Sequence, residues 1–302
     1  MDRTVAYHEG ERAAQSKAGV HEEAERRLPS VRARVPDVGA AFLAAQTAAV
    51  LGAAWDDGTL WASLLTGPPG FITASEHRVD FAARPLTTDP LAAVLAAPAE
   101  LGMIAVDFAR RRRMRVNGRA TPTADGLQVE VVQAYSNCPK YIQARSAQPA
   151  PSRVPDPSPA FASGLSAAQQ DLVATADTFF IASASATGEC DASHRGGNPG
   201  FVDVLSATRL RWPDYKGNAM MMTLGNLEEN PAAGLLFLDW VAGDLLQVTG
   251  RARVDWSPAA AAAAEGAQRV VEFEVEAVQA TAGAVPWTWS LPDYSPANPP
   301  VR

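Results

Sequence analysis

The 302-residue chain is long enough for two domains, and 47% apolar with 20% charged residues is a globular composition, not a disordered, collagenous or coiled-coil one. A net charge of −7 argues against a general nucleic-acid binder, which needs a positive field. Two cysteines, Cys138 and Cys190, supply neither a disulfide framework nor a metal-ligand spacing, so the expected compartment is a reducing cytoplasm.

In chain order, residues 1–36 read as a polar helical or extended arm, without the apolar core of a signal peptide. A first domain is expected over 37–145. It opens with a short helix near Val38 to Gln46, then a buried strand from Thr47 to Trp55. Gln46, Thr47 and many alanines make this run a poor membrane span. Asp56-Asp57-Gly58 is a turn, the strand resumes over Thr59 to Leu65, and Asp89 to Ala97 reads as a short helix. Arg111, Arg113 and Arg115 alternate, so on a strand they share a face. Arg110 and Arg111 also suit a hairpin turn.

Residues 146–163 carry five prolines and predict a stiff, extended linker. A second domain is expected over 164–289. A strand at Thr178 to Ala184 turns at Thr187-Gly188 and resumes near Glu189. A helix over Leu224 to Asn230 stops at Pro231, a hairpin turns at Ala242-Gly243-Asp244, and a half-buried strand ends near Val278. Residues 290–302 form a tail.

The chain repeats itself. Gly58 to Phe71 aligns without gaps on Gly188 to Phe201, an offset of 130 (58 to 188), with seven of fourteen positions identical. Gly102 to Ala120 aligns on Gly234 to Ala252 at an offset of 132 (102 to 234) and shares Gly102/Gly234, Asp107/Asp239, Val116/Val248, Gly118/Gly250, Arg119/Arg251 and Ala120/Ala252. Two β-rich copies follow, each a small antiparallel barrel.

The copies differ where chemistry is expected. Ser63 is followed by Leu64, Leu65 and Thr66; its counterpart Ser193 is followed by His194, Arg195 and Gly196. A hydroxyl, a guanidinium and open backbone amides are what an anionic oxygen needs. Thr223 and Asn226 stand near the start of a helix, where free amides favour a phosphate; simple N-capping by Thr223 is the plainer reading. Met220 to Met222 suit core filling.

The run Asp191-Ala-Ser-His-Arg-Gly-Gly-Asn-Pro-Gly-Phe-Val202, with Trp212-Pro-Asp-Tyr-Lys-Gly-Asn218 and Thr223-Leu-Gly-Asn226, resembles the pyridoxamine 5′-phosphate oxidase-like flavoproteins. In the first half, Arg111 to Arg119 and Tyr135 to Gln143 also look like motifs of this superfamily, over a resemblance spanning about residues 5 to 290. It is similar to a tandem group whose longer members continue into a ferredoxin-reductase-type module. The resemblance implies a mainly β fold: two tandem FMN-binding split β-barrels with short helices, packed as an intrachain pseudo-dimer with one competent flavin site.

Carried over by that resemblance, Ser193, His194, Arg195 and Gly196 run along the flavin and its phosphate. Pro213 and Asp214 border the ring, Thr223 contacts the phosphate, and Arg195 with Lys216 supplies positive charge. Arg113 or Arg115 reaches across from the first half, and Asn137, Lys140 and Gln143 are candidates for ring or substrate contacts. His194 and Arg195 are the catalytic candidates: His194 for proton transfer, Arg195 for the reduced ring or the phosphate. Cys138 reads as an inert thiol more readily than a redox group. The implied activity is FMN-dependent oxidoreduction of a small molecule, with electrons from NAD(P)H or a separate reductase and a homodimer as a possible assembly. The alternatives are a non-catalytic flavin-binding or partner-docking protein, or haem in the same fold. No metal, nucleic-acid or membrane partner is expected.

Overall fold

A computed structural model describes residues 5–136, 139–150, 153–156 and 158–301. Helices α1 (Glu9–Ala18), α2 (His21–Arg27) and α3 (Asp37–Ala44) precede the strands. Then come β1 (Ala48–Ala54), β2 (Leu60–Thr66), β3 (Ile72–Ser75), β4 (Arg78–Phe81), α4 (Leu91–Val94), β5 (Ala99–Asp107), β6 (Arg112–Pro122) and β7 (Leu127–Ser136). The segment between the halves holds β8 (Ala147–Pro149) and β9 (Ala160–Ala162). The second half runs α5 (Ala167–Thr175), β10 (Thr178–Ala184), β11 (Cys190–Gly196), β12 (Asp203–Ser206), β13 (Arg209–Tyr215), α6 (Met222–Glu229), β14 (Ala232–Leu238), β15 (Leu245–Asp255), α7 (Pro258–Ala263), β16 (Ala267–Thr281) and β17 (Trp287–Trp289).

The fold is mainly β, as expected. Both sheets are antiparallel and share one order: β2-β1-β5-β6-β7-β4-β3 in the first, β11-β10-β14-β15-β16-β13-β12 in the second. Their registers correspond. Ala48 faces Thr66 as Thr178 faces Gly196, and a bulge falls at Asn117/Gly118 as at Thr249/Gly250. The β1–β2 and β10–β11 hairpins turn on Gly58 (φ 86°) and Gly188 (φ 94°), a backbone region that side chains disfavour.

Each sheet curls around its own core, one containing Trp61, Phe71 and Met103, the other Phe179, Trp212 and Phe273. A third apolar cluster joins them, with Val50, Ile104 and Phe108 against Phe180, Leu236 and Leu245. Two glycines permit this approach. A Cβ on Gly102 would lie 2.5 Å from Asp191 Cα, and one on Gly234 2.7 Å from Trp61 Cα. Backbone therefore packs on backbone, β5 on β11 and β14 on β2.

One expectation needs correction, and two segments prove to be packed onto the fold. The helix read over Asp89 to Ala97 is a single turn, because Asp89 accepts from the Leu91 amide and Ser63 instead of continuing the helix. The prolyl segment is no free spacer. Its β8 pairs with β17, β9 pairs with β16, and Arg153 donates to the Val241, Val285 and Trp287 carbonyls. The N-terminal arm is helical and lies on α6, where a methyl on Gly10 would overlap the Gly225 carbonyl. Among the described residues no helix is long and apolar enough to cross a membrane.

The arm buries Glu11. Burial, with Asp191 and Glu229 adding, outweighs its hydrogen bond from the His8 amide and raises its carboxyl from 4.5 to about 8. A folded-state value above the unfolded one means that the native state holds the extra proton. That contribution is full below pH 4.5 and is lost as pH rises through 8. Glu11→Gln should therefore gain on the wild type by about 3 kcal/mol between pH 5 and 8. Urea unfolding of both proteins at each pH measures this, and parallel curves would count against it.

Candidate functional site

A cleft opens between the halves. From the second half, β11 supplies His194, Arg195 and Gly196, β13 supplies Pro213, Asp214 and Tyr215, and the start of α6 supplies Met222 and Thr223. The first half closes it with Arg113 and Arg115 of β6 and with Tyr141. The arginine alternation read on β6 thus presents two guanidiniums to one space, while Arg111 turns the hairpin (φ 51°) and pairs with Asp293 of the tail at 2.8 Å.

Asp191, buried at the back of this cleft, organises its wall. It accepts from Tyr135 (3.0 Å), Asn117 (3.3 Å) and Ser193 (3.0 Å), and Arg115 lies 3.9 Å away. Ser193 and Thr223 share a 2.6 Å hydrogen bond. Asp214 is half-buried, and loss of water raises its carboxyl while Arg195 and Arg269 oppose the rise; Arg269 is 3.3 Å away. Four guanidiniums (Arg113, Arg115, Arg195, Arg269) thus meet two carboxylates (Asp191, Asp214). The surplus is positive, in an acidic protein.

His194 is 3% exposed, against Phe180 and Phe108. Arg113 Nη1 lies 3.1 Å from its Nδ1. An arginine only donates, so Nδ1 accepts and Nε2 carries the hydrogen. Burial first, then Arg113, Arg195 and Arg115, drives the imidazole well below its ordinary value. His194 is therefore a neutral donor, not the near-neutral proton carrier expected of it. Its Nε2 is buried without a hydrogen-bond partner.

Several carried-over residues lie elsewhere. Ser193 is buried and its hydroxyl is spent on Asp191 and Thr223, behind the cleft wall. Thr223 borders the cleft but does not cap α6; the cap position is Met221, with φ 60° and no side-chain cap. Asn226 turns to the arm, holding Ser183 (2.9 Å) and His8 (3.0 Å). Gln143 is a buried clamp that donates to the Tyr141 and Gly197 carbonyls and accepts from Ser295 and Asn298. Lys216 is exposed and does not line the cleft, so the arginines alone supply its positive charge. Lys140 does not line it either. Gly196 leaves room for protein, since a methyl there would overlap the Tyr141 carbonyl. Asn137 and Cys138 lie outside the described residues.

Reading the sequence missed Tyr141, Tyr215, Asp191 and Arg269. Tyr141 and Tyr215 come from opposite halves and meet at 5.2 Å between ring centroids beside the cleft. Asp191 heads the Asp-Ala-Ser-His-Arg run, and its counterpart in the first copy is Trp61. That swap of an indole for a carboxylate was the available signal.

A matching cleft occupies the equivalent position on the other side. There Leu64, Leu65, Leu245 and Gln247 stand where His194, Arg195, Arg113 and Arg115 stand here, and Arg153 and Pro155 of the prolyl segment cross it. Leu65 is 2% exposed, so Leu65→Ala should cost about 2–4 kcal/mol in chemical denaturation. A loss under about 1 kcal/mol would show that the side chain is not core.

Residues 165–282 match the family model described as pyridoxamine 5′-phosphate oxidase. Over those residues the second half of the chain is similar to that family. Among solved structures, the chain is similar to a putative pyridoxamine 5′-phosphate oxidase from Lactobacillus delbrueckii, with 21% identity over 39% of this chain and 94% of that one and a TM-score of 0.32. It is similar to HupZ of Group A Streptococcus, with 15% identity over 38% and 91% and a TM-score of 0.31. It is also similar to an FMN-binding protein from Syntrophomonas wolfei, with 10% identity over 36% and 81% and a TM-score of 0.28. No curated protein matches the chain.

Proposed function

We propose that the arginine cleft binds FMN by its phosphate and that the protein is an FMN-dependent oxidoreductase acting on a small molecule. One observation carries this reading. Arg113, Arg115 and Arg195 converge in a cleft whose twin has Leu245, Gln247 and Leu65 in their places. The surplus positive charge suits a phosphate dianion, and the unpartnered Nε2–H of His194 suits an acceptor atom.

When bound, FMN supplies hydride transfer. The chain's own residues then divide the work. Arg195 and Arg113 hold anionic oxygen, Arg115 is fixed by Asp191 and Tyr135, and His194 donates a hydrogen bond from a ring held neutral. Tyr141 and Tyr215 stand where a planar substrate would enter. Electrons come from NAD(P)H or a separate reductase in this reading, and a cytoplasmic setting suits it.

The test is titration of the purified protein with FMN and with riboflavin, which lacks the phosphate. Bands near roughly 370 and 450 nm should be retained with FMN, and riboflavin should bind far more weakly. Equal affinity would remove the phosphate grip. Bleaching by NADPH and reoxidation by an acceptor separate an enzyme from a flavin carrier, and a protein that binds no chromophore would be a docking module instead. Haem is the alternative outcome, although iron would need the Nε2 lone pair that the tautomer set by Arg113 does not leave free. A Soret band would decide for it.

A further inference from the structure

The cleft is bordered by a backbone that does not hold itself. Ala219 (φ 66°) and Met221 (φ 60°) are non-glycine residues in the left-handed region, two positions apart, and both line the cleft. Such a conformation persists only where the surroundings impose it. Met221 is also the cap of α6 and has no side-chain cap to fix it.

The support comes from the N-terminal arm. Gln15, in the last turns of α1, is fully buried, and its Nε2 donates to the Met220 carbonyl at 3.0 Å, between the two left-handed residues. Asn218 Oδ1 accepts from the Met220 amide at 3.1 Å, so this peptide segment is held from both ends. Around it α1 grips α6. Gly10 and Gly225 touch backbone to backbone, the Gly10 amide donates to Glu229 at 2.7 Å, and Lys17 pairs with Glu228. The same α6 carries Thr223 to Ser193 on its other side. No residue of α1 lines the cleft.

We infer that α1 is a splint for the ligand cleft and that Gln15 is its positioning residue, fixing the 218–222 backbone through the Met220 carbonyl without touching what binds there. This deepens the FMN reading, but its central observable does not need FMN.

The test compares wild type, Gln15→Met and Leu127→Ala, each as the full chain. Gln15→Met keeps the buried volume and removes the donor together with Oε1, which bonds nothing; Leu127→Ala loosens the first core, away from the cleft. Amide hydrogen exchange without ligand comes first. Gln15→Met should speed exchange over residues 218–225 by about tenfold or more, with the β10 and β14 amides unchanged. Leu127→Ala should leave 218–225 at the wild-type rate. FMN titration comes second, and Gln15→Met should weaken binding about tenfold while Leu127→Ala leaves it intact.

If 218–225 exchange at the wild-type rate in Gln15→Met, or if Leu127→Ala speeds them equally, the splint is overturned. If the wild type binds no FMN but exchange still responds to Gln15→Met, the splint stands and the flavin reading falls.

Discussion

Gly102→Val should destabilise the protein by about 3 kcal/mol or more, among the largest losses a single substitution here can produce. The atoms facing Gly102 are the main chain of β11, with Asp191 Cα 2.5 Å from where the new Cβ would sit. A flexible side chain could swing aside; a strand paired with β10 along its whole length cannot. The halves must separate, and the apolar cluster between them opens. Asp191 moves with them, so the cleft wall loses its organiser. Gly217→Ala is the control, since only the Tyr215 carbonyl lies near, at 4.0 Å. Guanidinium unfolding should show Gly217→Ala within about 0.5 kcal/mol of wild type. A Gly102→Val protein of wild-type midpoint would mean that the two sheets tolerate a wider spacing.

Arg195→Ala should lower FMN affinity about 10- to 100-fold and leave folding stability within about 0.5 kcal/mol of wild type. The two effects separate because of how this arginine is held. Its guanidinium is only part-buried, its hydrogen bond among the described residues goes to the adjacent His194 carbonyl, and Arg269, 3.3 Å from Asp214, stays to balance that carboxylate. Arg115→Ala should behave differently. Arg115 is 6% exposed beside Asp191, and its loss leaves a buried carboxylate without its cation, costing about 3–5 kcal/mol. Isothermal titration with FMN and thermal unfolding on both variants measure this. Unchanged FMN affinity in Arg195→Ala would remove that residue from the phosphate site.

The strands were legible because their signals are local. Thr178 to Ala184 is apolar apart from Thr178 and Ser183 and is followed by a turn at Gly188, and β10 occupies those residues. The internal repeat pointed to two sheets of one order because glycines and turn residues recur at constant offsets. The arginines of β6 were legible from alternation, which a strand converts directly into a shared face. What the sequence hid depends on distant neighbours. Nothing around Asn226 shows that His8 of the arm lies 3.0 Å away, and nothing around Gln143 shows that the tail returns to it. The neutral state of His194 comes first from burial against Phe108 and Phe180 and then from Arg113, 81 positions away in the chain. A Thr before an apolar run reads as a helix cap; here the helix starts two residues sooner, because Met221 takes a left-handed conformation that no propensity favours.

The prolyl segment crossing the second cleft has one more consequence. Two identical subunits would carry every substitution at both crevices, so neither could change alone. Here Arg115 and Gln247 hold equivalent positions on one continuous polypeptide and are altered one at a time. One crevice keeps its arginines while, at the other, Arg153 fastens the crossover between the halves.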